Sequence, residues 1–119
     1  MKALRVLVAE DDTIVGMLLG ELLREMGHDV CAIEATEADA VAAAIRCRPD
    51  LMIIDVRLGD GSGISAVEEI LRTGPISYMF VSGDIASVPT LRPGAVIIRK
   101  PYREPDLAHA IQRATHAGL

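Results

Sequence analysis

Side chains that could handle a phosphoryl group follow several apolar runs of this 119-residue sequence. An acidic Glu-Asp-Asp triplet at 10–12 comes after one run, and Asp55 ends another. Ser82 and Lys100 follow two later runs. Carboxylates that share a site repel one another unless a cation lies between them, and Mg²⁺ prefers such oxygen ligands. A carboxylate acceptor, a metal ion, a lysine and a hydroxyl are the groups that phosphoryl transfer uses.

Each of these features is common when it occurs alone. An acidic triplet after a strand usually caps the next helix, and a lone aspartate there is more often a solvated turn residue than a nucleophile. Ser-Gly-Asp is ordinary turn sequence, and a Lys-Pro pair alone indicates almost nothing. The functional interpretation rests on their order, because all four features end apolar strands of one predicted sheet.

Five strand-like runs alternate with segments of helical period, which predicts βαβ crossovers and a parallel sheet between helices. No G-x-G-x-x-G turn follows the first run, so the flavodoxin-like strand order 2-1-3-4-5 is favoured over a Rossmann-like one. Sites in such sheets form beyond the carboxyl ends of the strands. We therefore expect the polar groups to converge there in a three-layer α/β fold. The runs are residues 6–9, 29–33, 51–54, 78–81 and 95–98.

Helical patterns fill the intervals between these runs. The first helix is predicted to start at Thr13 and end at Gly27, with one stripe facing the core: Val15, Leu18, Leu19, Leu22 and Met26. Thr36 is a candidate N-cap for a second helix that reaches about Cys47. Three helix-breaking residues interrupt the segment before the last strand, so we expect a fourth helix that is short, irregular or mobile. They are Pro89, Pro93 and Gly94.

Composition narrows the possible classes of protein. Half of the residues are hydrophobic but only 3% are aromatic, so one aliphatic core is expected, in a single domain over 1–119. The net charge of −5 argues against direct binding of nucleic acid. No apolar stretch is long enough for a membrane helix, and no secretory signal is recognised, so a cytoplasmic protein is expected.

The cysteines and histidines carry no recognisable motif. Cys31 and Cys47 lack C-x-x-C spacing, and two small apolar side chains in a reducing cytoplasm is the favoured interpretation. His28, His109 and His116 lack metal-ligand spacing and are expected on the surface.

These residues resemble the response-regulator receiver family of two-component signalling over essentially the whole chain. The matching elements are Glu10-Asp11, Asp55, the stretch D-x-x-L-x-x-G-x-G that begins at Asp55, Ser82-Gly83 and Lys100-Pro101. The run Phe80-Val81-Ser82-Gly83 is also similar to the "FAT GUY" receivers, which are often single-domain proteins.

The resemblance implies a role for each matching residue. Asp55 would be the phosphoacceptor, and Glu10, Asp11, Asp55 and the backbone carbonyl of Arg57 would hold Mg²⁺. Ser82 would be the switch hydroxyl, and Lys100, after a cis bond to Pro101, would contact the phosphoryl group. Gly83 would leave room for access to the site, and Asp12 would cap the first helix or be an outer-shell group.

The resemblance also implies the partners. A sensor histidine kinase or a histidine phosphotransfer protein would donate the phosphoryl group, and a downstream protein would sense the result. Such a receiver is a signalling domain that catalyses its own phosphorylation and dephosphorylation rather than a dedicated enzyme. The chain could stand alone or be the receiver portion of a longer regulator with a DNA-binding or enzymatic output domain.

Two departures from the family concern the signal's exit. Ile97 stands where most receivers carry a switching Tyr or Phe. Ser82 and Lys100 are also closer to each other in sequence than is usual in the family, by roughly one helical turn.

Two other functions are disfavoured. An aspartyl-phosphate phosphatase would need a second aspartate where Arg57 stands, and flavin binding would need a phosphate-cradling loop after the first strand.

Overall fold

The computed structural model describes residues 2–83 and 94–116, and strands and helices alternate along them. The elements are β1 (Arg5–Ala9), α1 (Thr13–Glu25), β2 (Asp29–Glu34), α2 (Glu37–Cys47), β3 (Leu51–Asp55), β4 (Arg57–Leu58), β5 (Gly61–Ser62), α3 (Gly63–Leu71), β6 (Ser77–Ser82), β7 (Ile97–Arg99) and α4 (Glu104–His116). None of the helices in these two ranges combines the length and apolar character that crossing a bilayer demands.

The main sheet has five parallel strands in the order β2-β1-β3-β6-β7. Counted along the chain without the small β4–β5 hairpin, this is the predicted order 2-1-3-4-5, so the flavodoxin-like prediction is confirmed. β3 lies in the centre and is buried along its whole length. A continuous apolar run suits such a strand because helices cover both of its faces.

Two apolar clusters fill the spaces between the sheet and the helices, one on each face. Alternate residues of β1 point to opposite clusters, as the two-residue period of a strand requires. Val6 and Val8 pack with α1 and α4, whereas Leu7 packs with α2 and α3. The sheet is thereby held rigidly along its length, which fixes the positions of its carboxyl ends.

The helix termini follow the predicted capping pattern. The carboxylate of Asp12 accepts a hydrogen bond from the backbone N–H of Val15 at 3.1 Å, and Asp12 is the N-cap of α1. Thr36 caps α2 in the same way through Asp39. Gly27 has a φ of 96° immediately after α1, which is a conformation that glycine adopts without strain. These caps fix where the loops beside each strand begin.

The buried face of α1 differs from the predicted stripe. Leu18 is 59% exposed, whereas Gly16, Leu19, Gly20 and Leu23 are buried. A Cβ on Gly20 would lie 2.9 Å from the Cδ1 atom of Ile33, so the glycines let α1 approach β2 closely. The stripe prediction was wrong in this respect because it weighted large apolar side chains and ignored a helix face made of small ones.

The predictions for the histidines and for the fourth helix have different outcomes. His109 and His116 are exposed as expected. His28 is only 5% exposed, so its predicted surface position was wrong. Its Nδ1 atom accepts a hydrogen bond from the backbone N–H of Leu4 at 3.1 Å, which fixes the ring at the amino end of the sheet. The segment expected to hold a short or irregular fourth helix lies outside the described residues, apart from Gly94.

Candidate functional site

Four neighbouring strands end in polar side chains at one edge of the sheet. Glu10 follows β1, Asp55 ends β3, Ser82 ends β6 and Lys100 follows β7. Glu10, Asp55 and Ser82 are at most 9% exposed although each is polar. Buried polar groups are stable only when partners satisfy them, so the contacts among these residues define the site.

Lys100 connects two of the strand ends. Its Nζ atom donates a hydrogen bond to Oε1 of Glu10 at 2.6 Å and another to Oδ2 of Asp55 at 2.6 Å. The backbone positions it, because the N–H of Lys100 donates to the carbonyl oxygen of Ser82 at 2.9 Å. The Lys100–Pro101 peptide bond is cis, as the resemblance implied. The ammonium group therefore lies between two carboxylates that come from different strands.

The ionisation of this group reflects its surroundings. Burial alone lowers the pKa of Lys100, but the hydrogen bonds to Asp55 and Glu10 and the charges of both carboxylates outweigh burial and raise it above its ordinary value. Lys100 is therefore a permanent cation at physiological pH. A fixed positive charge at this position stabilises negative charge on any group that binds beside Asp55.

The two acidic residues after β1 differ in their surroundings. Burial raises the pKa of Glu10, the hydrogen bonds from Lys100 and from the backbone of Asp12 oppose this, and the charge of Asp55 adds to the increase. Asp11 is exposed. Its hydrogen bond with Glu10 and the backbone N–H of Gly59 lower the pKa of Asp11. The pair thus combines one desolvated carboxyl and one readily ionised carboxylate.

One oxygen from each of Glu10, Asp11 and Asp55 lies within 4.8 Å of the others. Lys100 neutralises only one of these three carboxylates, so two negative charges are in excess when all are ionised. A hard divalent cation with oxygen ligands fits this donor set by charge and by chemistry. Asp12 lies outside the group and caps α1.

The loop after Asp55 brings its backbone against the carboxylates. The N–H of Arg57 donates to Oδ1 of Asp55 at 3.2 Å, and the N–H of Gly59 donates to Oδ2 of Asp11 at 3.0 Å. Arg57 also begins the β4–β5 hairpin by pairing with Ser62. The backbone of residue 57 is therefore beside Asp55, where its carbonyl was expected, while the guanidinium side of Arg57 is exposed.

Gly63 allows the closest backbone approach in the site. An added Cβ would overlap the carbonyl oxygen of Asp55 and would lie 2.6 Å from Cγ2 of Ile54. Its N–H donates to the carbonyl of Val56 at 2.8 Å. α3 therefore starts directly against the end of β3, and the last glycine of the D-x-x-L-x-x-G-x-G stretch has a steric reason.

Residues around the switch positions are placed as follows. Ser82 is buried at the end of β6, next to Lys100. Within the part of the chain that the structure describes, a Cβ on Gly83 would meet no atom within 4 Å. Ile97 is half-buried and lies opposite Phe80 in the β6–β7 ladder. An aliphatic side chain thus occupies the place of the family's aromatic switch.

Glu37 supports the site and was missed by the sequence analysis. Its Oε1 atom accepts the backbone N–H of Ser62 at 2.9 Å, which ties the start of α2 to the loop after Asp55. Gly61 makes room, because a Cβ there would be 2.9 Å from the same oxygen. An acidic residue in the first turn of a helix is common, so the sequence carries no signal for this longer-range role.

Comparisons with known proteins agree with this arrangement. A family model described as the response regulator receiver domain matches residues 6–112. The Phyllosphere-induced regulator PhyR of Methylorubrum extorquens is 32% identical over 94% of this chain and 43% of its own length. The transcriptional regulatory protein PdtaR of Mycobacterium tuberculosis is 34% identical over 92% of this chain and 56% of its own. The chain thus spans about half the length of these curated relatives.

Solved structures give the same result. The receiver domain of the Erythrobacter litoralis PhyR response regulator superimposes with a TM-score of 0.83 at 31% identity, covering 96% of this chain and 91% of that one. The response regulator domain of Thermotoga maritima CheB has a TM-score of 0.81 at 26% identity, with coverage of 96% and 97%. In each of these two comparisons, the match covers nearly the whole of this chain and nearly the whole of the other structure.

Proposed function

Because this chain belongs to the response regulator receiver family, we propose that Asp55 accepts a phosphoryl group from a phosphohistidine donor. The observation that carries the proposal is the double contact of Lys100 with Glu10 and Asp55, beside a third carboxylate. A carboxylate oxygen of Asp55 forms the new bond to phosphorus while the bond from phosphorus to the donor's ring nitrogen breaks. The electron pair of that bond returns to the imidazole.

Glu10, Asp11, Asp55 and the backbone carbonyl of Arg57 would hold Mg²⁺. When bound, the ion offsets charge on the phosphoryl oxygens. Lys100 supplies a second positive charge from the side of β7, and the N–H of Arg57 donates to the oxygen of Asp55 that Lys100 leaves free. These contacts orient the carboxylate for attack.

Phosphorylation adds about 1.5 to 2 negative charges beside Lys100 and Ser82. Ser82 is the last residue of β6, and Lys100 directly follows β7 and is hydrogen-bonded to Ser82. Movement of these two residues toward the phosphoryl oxygens would therefore shift that edge of the sheet. With Ile97 in place of an aromatic ring, we propose that strand displacement rather than a ring rotation transmits the signal.

Intact-mass measurement tests the acceptor. Wild type, Asp55→Ala and Asp60→Ala are each incubated with Mg²⁺ and a small phosphodonor. Asp60 is an exposed acid in the same loop and serves as the matched control. Wild type and Asp60→Ala should gain one phosphoryl group, and Asp55→Ala should gain none. Wild type should also gain none when a chelator removes the Mg²⁺. Equal phosphorylation of Asp55→Ala would show that another residue is the acceptor.

We propose that the donor, a histidine kinase or a histidine phosphotransfer protein, docks on α1. Three large apolar side chains there are exposed although they adjoin the acidic loop: Ile14 by 69%, Met17 by 55% and Leu18 by 59%. A contiguous exposed apolar patch next to a reaction site is typical of a protein interface. It would let the partner exclude water from the transfer.

The docking proposal is tested by Leu18→Gln, with Ile45→Gln on α2 as the control because Ile45 is also 54% exposed. Leu18→Gln should slow transfer from a phosphorylated histidine phosphotransfer protein by about fivefold or more. It should leave labelling by the small phosphodonor unchanged, and the free energy of unfolding within about 0.5 kcal/mol of wild type. Equal transfer rates for the two variants would place the docking surface elsewhere.

A second candidate concerns what the receiver controls. The first curated relatives are about twice as long as this chain, so it could be the receiver portion of a longer regulator with a DNA-binding or enzymatic output domain. The mass of the natural protein, captured with an antibody to this domain, separates that case from a single receiver domain over 1–119.

A cytoplasmic location and membership of the "FAT GUY" subfamily remain predictions.

A further inference from the structure

The two cysteines lie close together on the face of the sheet that α2 covers, although they belong to different elements. Cys31 is in the edge strand β2, and Cys47 is the last residue of α2, sixteen positions later. The Sγ atom of Cys47 is 3.8 Å from the carbonyl oxygen of Cys31. The side chains of Cys31 and Cys47 also interact with each other, and a disulfide requires two neighbouring thiols of this kind.

An irregularity in the sheet explains this position. Along the β1–β2 ladder, Val6 pairs with Val30 but Leu7 pairs with Ala32, so Cys31 is an extra residue with no partner on β1. A bulge of this kind leaves one residue out of the ladder and changes the direction of its side chain. Cys31 and Ala32 accordingly both pack against the cluster beneath α2.

The environment of the pair has two further features. Burial, followed by the neighbouring thiol of Cys47, raises the pKa of Cys31 to about 11. Both residues are partly exposed, so a small oxidant can reach them. The Nη2 atom of Arg5 donates to the carbonyl of Cys47 at 3.0 Å, which brings a cation to the same place.

We propose that Cys31 and Cys47 form a redox-modification site that a peroxide converts to an intramolecular disulfide. A cysteine thiolate is the nucleophile in the first step. Its sulfur attacks one peroxide oxygen, giving a sulfenic acid and one water. The sulfur of the other cysteine then attacks the sulfenic sulfur, so that an S–S bond forms, the S–O bond breaks, and the hydroxyl leaves with the proton of the second thiol as a second water.

The disulfide would join the end of α2 to the edge strand. An ion pair between Arg46 and Glu34, 3.7 Å apart, already connects the same two elements. A covalent link removes conformational freedom from the unfolded chain and so stabilises the folded one. Disulfides in reducing compartments are characteristically transient and redox-sensing, which suits a site that opens and closes.

The experiment treats the reduced full chain with hydrogen peroxide and then blocks the remaining thiols. Intact mass and a non-reducing peptide map should show both thiols lost and residues 31 and 47 linked within one molecule. The linkage should form about tenfold faster in the folded protein than in urea, because the fold holds the thiols together. The oxidised protein should melt about 5–15 °C higher than the reduced one.

Two single variants separate the two steps. Cys31→Ser and Cys47→Ser should both lack the linkage, and the thiol that remains in each should accumulate a sulfenic acid that dimedone traps. Asp55→Ala should oxidise like wild type, which keeps this test separate from that of the phosphoacceptor. A disulfide between two molecules, over-oxidation of Cys47 in wild type as fast as in Cys31→Ser, or equal rates with and without urea would each overturn the proposal.

Discussion

Polar groups are buried at both ends of the β-sheet, but in opposite ways. At the carboxyl end, the ammonium group of Lys100 donates hydrogen bonds of 2.6 Å to both Glu10 and Asp55. At the amino end, His28 is 5% exposed and its Nε2 atom has no hydrogen-bond partner among the described residues. Burial there lowers the pKa of His28, so the ring is kept neutral.

The difference shows what each end is built to do. A buried neutral imidazole costs far less free energy than a buried charge would, and its hydrogen bond with Leu4 holds the start of β1 in place. Three carboxylates beside one ammonium leave two negative charges uncompensated when all are ionised, and a further cation could offset them. Excess negative charge at one end is thus a sign of ligand chemistry, and neutrality at the other end is a sign of structure.

Gly63→Ala is the change with the largest expected effect on this comparison. The new Cβ would overlap the carbonyl oxygen of Asp55, so the end of β3 must shift. We expect phosphorylation to be lost and the free energy of unfolding to fall by more than about 3 kcal/mol.

Gly59→Ala is the matched control for this substitution. Gly59 lies in the same loop with a φ of 58°, and a Cβ there meets no atom of the described residues within 4 Å. It should cost only about 1–2 kcal/mol of backbone strain and leave phosphorylation largely intact. Urea unfolding and intact mass measure both effects. Similar losses in the two variants would point to loop conformation rather than to contact with Asp55.

Lys100→Met removes the internal cation from the carboxyl end. We expect it to lower the free energy of unfolding without Mg²⁺ by about 1–2 kcal/mol, because Glu10 and Asp55 lose their shared donor. Mg²⁺ should then stabilise the variant more than it stabilises wild type, since the carboxylates have lost the competing ammonium.

Urea titrations with and without Mg²⁺ test this, with Lys2→Met as the control at an exposed lysine. An equal effect of Mg²⁺ on wild type and on Lys100→Met would contradict the idea that lysine and metal ion share these carboxylates.

The smallest expected effect concerns the amino end and appears only in acid. The pKa of His28 is lowered in the folded state, so between that value and about 6.5 the unfolded chain binds a proton that the folded one does not. Wild type should therefore lose stability relative to His28→Asn as the pH falls below about 6.5, by at most about 1.4 kcal/mol per pH unit. Above that pH the difference between the two should be constant.

Urea unfolding at several pH values measures this, and His109→Asn on the exposed face of α4 is the control. A pH-independent difference between wild type and His28→Asn would show that the imidazole is not held neutral by burial.

Much of this arrangement follows from sequence because the carboxyl ends of parallel strands share one edge. The placing of Asp55 and Lys100 at that edge needed only apolar runs and their order. The errors arise where contacts between distant parts of the chain decide burial. The exposure of Leu18 depends on which face of α1 approaches the sheet, and small residues such as Gly20 decide that without any hydrophobic signal. The burial of His28 depends on its long-range contact with Leu4, which no local pattern marks. The contact of Cys31 with Cys47 depends on a bulge, which no periodicity marks.

The shortness of β7 has a consequence for hydrogen exchange. Among the described strands of the main sheet it is the shortest, with three residues, and it pairs on one side only, with β6. Backbone amides at such an edge exchange through local opening at a small fraction of the global unfolding free energy. Lys100 directly follows this strand, whereas Asp55 ends the fully buried β3. We therefore expect slow amide exchange around Asp55 and faster exchange in the strand that precedes Lys100.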